Sequence, residues 1–92
     1  MLYAIYCLDK PDSAELRQAT RAAHLAYMER FRPQIHAAGP LLAEDGTTML
    51  GSLLILDFPD RAAVEAFLAA DPYNAAGLFA RVEVSAWKKL LP

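Results

Sequence analysis

The chain has one cysteine, Cys7, so it has no disulfide framework and no thiolate pair at the spacing of a structural zinc site. It also lacks an excess of positive charge: nine Lys and Arg against eleven Asp and Glu give a formal charge of −2, which argues against a general nucleic-acid or membrane-surface binder. No apolar run exceeds strand length, and the N-terminus has no basic region leading into a long apolar stretch. A cytoplasmic protein, neither secreted nor inserted in a membrane, is the expectation. Glycine-rich phosphate loops, a Gly-x-Ser-x-Gly elbow and paired metal ligands are all missing, and His24 and His36 stand twelve residues apart across Pro33. Neither a metal nor a cofactor is expected. With no Pro, Gly or Ser-rich linker in 92 residues, one domain over residues 1–92 is expected.

What the chain does have is apolar surface, at 55% of residues against 22% charged. A domain this small buries well under three quarters of its unfolded surface, so that surplus points to a second buried surface. Leu2 to Leu8 is rich in β-formers and closes at the turn Asp9-Lys10-Pro11-Asp12. From Ser13, with Asp12 or Ser13 as cap, Leu16, Ala19, Ala23, Tyr27 and Phe31 predict the apolar stripe of a helix. Its last turn is expected to run toward Ala38-Gly39-Pro40, with Gly39 in the left-handed cap. Leu41 to Ala43, the Asp45-Gly46 turn and Met49 to Phe58 read as a hairpin. Asp60 caps a second helix ending near Ala70, Asp71 and Pro72 open one further helical turn, and Leu78 to Trp87 forms a last strand. The order β-α-β-β-α-β is an α+β, ferredoxin-like antiparallel sheet with both helices on one face. Both faces of the first and third strands are apolar, which predicts a homodimer closed through the open sheet face; an open sheet that binds a ligand or another protein is the alternative.

Arg17, Arg21, His24 and Met28 follow the spacing of one helical face. Two arginines could hold a carboxylate or phenolate, or simply form a solvated face paired with Asp12 and Glu29. His24, flanked by alanines and Leu25, is the one side chain here suited to acid–base work near neutrality, against the plain alternative of a hydrogen-bonded boundary histidine. Asp71 reads equally well as a cap, a role compatible with orienting an imidazole. Tyr3 and Tyr73 could offer hydroxyls or ring faces, or only packing, and Ser52 joins them if its strand has the right phase. Cys7 reads as a small buried hydrophobe.

The segments Leu2-Tyr3-Ala4-Ile5-Tyr6, Arg21-Ala22-Ala23-His24-Leu25, Ala38-Gly39-Pro40, Asp71-Pro72-Tyr73 with Ala76-Gly77, and Val82-Glu83-Val84 through Trp87-Lys88-Lys89 together resemble the YCII-related family, in order and across nearly the whole chain. The resemblance implies a dimeric α+β barrel akin to muconolactone isomerase, with a pocket histidine and aspartate at His24 and Asp71. One member of that family is a dehydrochlorinase of a chlorinated hydroxyquinol. The implied function is cofactor-independent proton transfer of lyase or isomerase type on a small, anionic or aromatic substrate. A noncatalytic ligand-binding or partner-binding module is the alternative.

Overall fold

A computed structural model describes residues 1–92. The elements run β1 (Leu2–Asp9), α1 (Ala14–Glu29), β2 (Ile35–Leu42), β3 (Met49–Asp57), α2 (Arg61–Ala70), a short α3 (Pro72–Ala75) and β4 (Phe79–Trp87). The four strands form one antiparallel sheet in the order β2-β3-β1-β4, the ferredoxin-like arrangement. Strand register assigns the faces. Tyr3, Ile5 and Cys7 lie opposite Leu56, Leu54 and Ser52, and all six are buried. With Tyr27, Met28, Val64, Phe67 and Leu68 from the helices they surround the core. The Tyr27 hydroxyl donates to the Phe67 carbonyl at 2.8 Å, which ties α1 to α2 without leaving a buried phenol unpaired.

Helix entry follows the local chemistry where side-chain caps exist. Asp60 accepts from the Ala63 amide at 2.9 Å, and Asp71 accepts from the Tyr73 amide at 3.0 Å, just after α2 ends. Ser13 precedes α1 without a side-chain cap bond, and Asp12 takes φ 57°, the left-handed region that asparagine and aspartate tolerate better than most residues.

Two expectations fail here. The segment after α1 is not a last helical turn: a 3-10 turn over Arg32–Gln34 leads straight into β2, and Gly39 pairs with Leu53 instead of capping a helix. Pairing with β3 outweighs the helix propensity of the Ala37-Ala38 segment. The N-terminal part of the expected α1 stripe is also out of phase by one residue: Leu16, Ala19 and Ala23 are exposed and Arg17 and His24 are buried, whereas Tyr27 is buried and Phe31 packs against the core as expected. The helix therefore turns two ionisable side chains into the protein.

The opposite sheet face carries Leu2, Ala4, Tyr6, Leu53 and Ile55, by register and alternation. Tyr6 is 41% exposed and Leu53 42%, and Trp87, opposite Leu2, is also exposed. The polar residues of this face are Arg81, Glu83 and Ser85 of β4 and, at the end of β3, Asp57 opposite Leu2. No helix is long and apolar enough to cross a membrane.

Candidate active site

α1, β2 and β3 enclose a cleft of about 520 Å³, a size typical of small-molecule sites. At its buried end stand Arg17, His24, Ser52 and Tyr73; its apolar walls include Met28, Met49 and Leu54. The outer wall is charged. There Arg32 forms a two-point hydrogen bond with Glu29, while Arg21 makes no ion pair with any carboxylate.

His24 and Asp71 meet. His24 Nδ1 lies 2.8 Å from Asp71 Oδ1, with the histidine 8% and the aspartate 1% exposed. The same Oδ1 accepts the Tyr73 amide, so one oxygen both starts α3 and fixes the imidazole. A hydrogen bond from Nδ1–H to the carboxylate selects the tautomer whose Nε2 lone pair is free. Nε2 makes no hydrogen bond within the chain and is not among the sealed, unpartnered polar atoms, so it opens to the cleft that His24 lines. The Tyr73 ring stacks on the imidazole, with centroids 3.9 Å apart and planes 14° from parallel. Asp71 Oδ2 is the one sealed side-chain oxygen without any donor.

Arg17 also lies over the Tyr73 ring, its guanidinium carbon 4.6 Å from the ring centroid. Its Nε and Nη2 donate to Asp9 Oδ2 and Oδ1 at 2.7 and 3.0 Å, and Nη2 also reaches Ser52 Oγ at 2.9 Å. Burial opposes the Arg17 charge, but hydrogen bonding and attraction to Asp9 outweigh it, and the pKa of Arg17 rises above its ordinary value. Burial likewise raises the Tyr73 phenol against the pull of Arg17 and Arg21, so its hydroxyl keeps its proton at neutral pH. Cys7 is sealed beneath the site. Burial, then the charges of Asp71 and Asp9, push its thiol up to about 12, and it remains a neutral apolar filler.

Of the residues singled out by sequence, His24, Asp71, Tyr73, Arg17 and Ser52 come together, with Arg21 at the outer wall. Tyr3 does not join them: it is 5% exposed, packed in the core and away from the cleft walls. Ser52 has the required phase because it pairs with Cys7 across β1 and β3. Arg17 finds its carboxylate in Asp9, not in Asp12 as the solvated-face alternative had it. Asp9 was hidden by its place in a turn-forming cluster. The available signal was strand alternation, since Asp9 continues the parity of Tyr3, Ile5 and Cys7. His36 is exposed on β2, and no cluster of three metal-ligating side chains exists.

The chain is matched over residues 1–88 by the YCII-related domain. It is 39% identical to protein YciI of Escherichia coli, with 98% of this chain and 99% of that protein aligned, and equally identical to its Shigella flexneri counterpart. Among solved structures it is similar to the 5-chloro-2-hydroxyhydroquinone dehydrochlorinase TftG of Burkholderia phenoliruptrix in complex with 2,5-dihydroxybenzoquinone: TM-score 0.89, 39% identity, covering 96% of this chain and 94% of that one. A likeness to an antibiotic biosynthesis monooxygenase, at TM-score 0.58 and 16% identity over 99% of this chain and 100% of that one, extends to the fold alone.

Proposed function

The chain belongs to the YCII-related family, and from that premise we propose that it is a proton-transfer enzyme of lyase or isomerase type, acting on a small hydroxylated aromatic or quinone-like substrate. The observation that carries the reading is the buried His24–Asp71 hydrogen bond of 2.8 Å with Nε2 left open to the cleft. An acid–base step of this kind needs only the imidazole and its orienting carboxylate. Asp71 holds the tautomer and steadies the imidazolium that forms; His24 takes and returns the proton. Arg21, unpaired at the outer wall, attracts an ionised substituent, while the Asp9 pair keeps Arg17 from acting as a free cation.

Elimination of HCl from a chlorinated trihydroxybenzene is the concrete case, supported by the similarity to the dehydrochlorinase. His24 removes a proton from one ring hydroxyl and returns one to the chlorine-bearing carbon, giving a keto tautomer. Removal of a proton from another hydroxyl then expels chloride with the bonding pair. The ring becomes a hydroxyquinone, the departing chloride takes both electrons of the carbon–chlorine bond, and the net loss is one HCl. A homodimer closed through the Tyr6, Leu53 and Ile55 face completes the proposal, because that apolar surface is otherwise left to water.

Chloride release from 5-chloro-2-hydroxyhydroquinone under anaerobic conditions tests the reading. The wild type is expected to release chloride with appearance of quinone absorbance, and His24→Gln to lose at least about a hundredfold in kcat, the usual scale of general acid–base catalysis. Saturable binding with no turnover would leave the protein a noncatalytic ligand-binding module.

A further inference from the structure

The buried end of the cleft holds three polar groups that the chain leaves without a well-formed hydrogen bond. His24 Nε2 is the acceptor described above. The second is the Tyr73 hydroxyl: the residue is only 2% exposed, and its oxygen, which feels the charge and a weak hydrogen bond of Arg17, has no other partner within the chain and is not sealed from solvent, so its proton is free to face the cleft that Tyr73 lines. Arg17 Nη1 is the third. Nε and Nη2 are committed to Asp9 and Ser52, which fixes the guanidinium plane, and Nη1 is left without a well-formed bond to any protein acceptor. Because the guanidinium and the imidazole both lie against the Tyr73 ring, at 4.6 and 3.9 Å from its centroid, that ring holds the three groups together.

We propose that Tyr73 Oη and Arg17 Nη1 form a donor pair for a substrate oxygen beside the His24 Nε2 acceptor, so that the buried end of the cleft selects molecules with a hydroxyl adjacent to an oxo or ionised oxygen, as in hydroxyquinones. The inference deepens, and for its chemistry rests on, the proton-transfer reading. Donors fixed in advance stabilise charge where it develops as the proton leaves, without reorganising at that moment. Asp9 offsets much of the Arg17 charge, so the pair suits an oxygen that is neutral before reaction and charged during it. Tyr73 is then a catalytic residue, and Asp9 and Ser52 position Arg17.

Equilibrium binding of 2,5-dihydroxybenzoquinone to the wild type and to Tyr73→Phe tests this. Phenylalanine keeps the ring on His24, and the backbone amide still reaches Asp71, so folding is expected to survive and circular dichroism to be unchanged. Loss of the hydroxyl is expected to weaken binding by about tenfold, the scale of one hydrogen bond. Hydroquinone, which lacks adjacent oxygens, should bind weakly and equally to both proteins. Equal affinity of wild type and Tyr73→Phe for the dihydroxyquinone, or no binding to the wild type, overturns the inference. Tyr73-dependent binding with no chloride release would remove the enzymatic reading and leave the donor pair standing. Turnover indifferent to Tyr73→Phe would do the opposite.

Discussion

The Asp71 carboxylate uses one oxygen for two donors and leaves the other sealed without any. That asymmetry makes a residue-scale prediction. In Asp71→Asn the amide oxygen can keep both bonds only if the NH2 group takes the sealed position, where its protons find no acceptor. A buried unsatisfied donor costs about 1–3 kcal/mol, so denaturant unfolding should show Asp71→Asn destabilised by that amount. His24→Gln, which empties part of a cleft wall, should cost less. Equal stability of Asp71→Asn and the wild type would mean that the sealed oxygen has a partner in solution. His24 and Asp71 were legible in the sequence as an ionisable ring beside an apolar face and an aspartate before Pro-Tyr. Their meeting was implied by the family resemblance alone and not by spacing, since 47 residues separate them and the packing of α3 against α1 closes the gap. Asp9 and the Tyr73 stack escaped for the same reason: ring planes and ion-pair partners are tertiary facts.

At the scale of elements, strand pairing decided what local propensity had left open. β1, β3, α2, α3 and β4 start and stop close to where turn and cap residues place them, but β2 begins at Ile35, well before Leu41, because β3 offers it a ladder. The phase of α1 misled for a more instructive reason. A stripe chosen for apolar residues runs through Leu16, Ala19 and Ala23, whereas the buried stripe carries Arg17 and His24, because the cleft needs them inside. The β2–β3 connection gives a second prediction. The Thr48 hydroxyl, with the amides of Thr47 and Thr48, holds Asp45 down to about 2 from an ordinary 3.8. The folded state thus binds this proton less tightly than the unfolded chain. Its contribution is present above about pH 4 and is lost as pH falls through about 2. Denaturation midpoints should show Asp45→Ala less stable than wild type at neutral pH, with the gap narrowing across that acid window. A gap that stays constant with pH would remove the ionised carboxylate from the turn.

For the whole molecule, the two sheet faces divide the labour. One is covered by helices and carries the cleft; the other leaves Tyr6, Leu53 and Ile55 against water, a pattern already legible in the two apolar faces of β1 and β3. If a second copy covers it, Leu53→Glu should shift sedimentation from dimer to monomer and lower the thermal midpoint, since each protomer loses part of its buried surface. A monomeric wild type at micromolar concentration would contradict this. Proton transfer by His24 in the cleft is tested most directly by following ring-proton exchange of 1,2,4-trihydroxybenzene in D2O by proton NMR, anaerobically, with wild type and His24→Gln. Wild type should speed the loss of the ring C–H signal well beyond buffer, and His24→Gln should not. Exchange no faster than buffer with the wild type, or equally fast with His24→Gln, would contradict it.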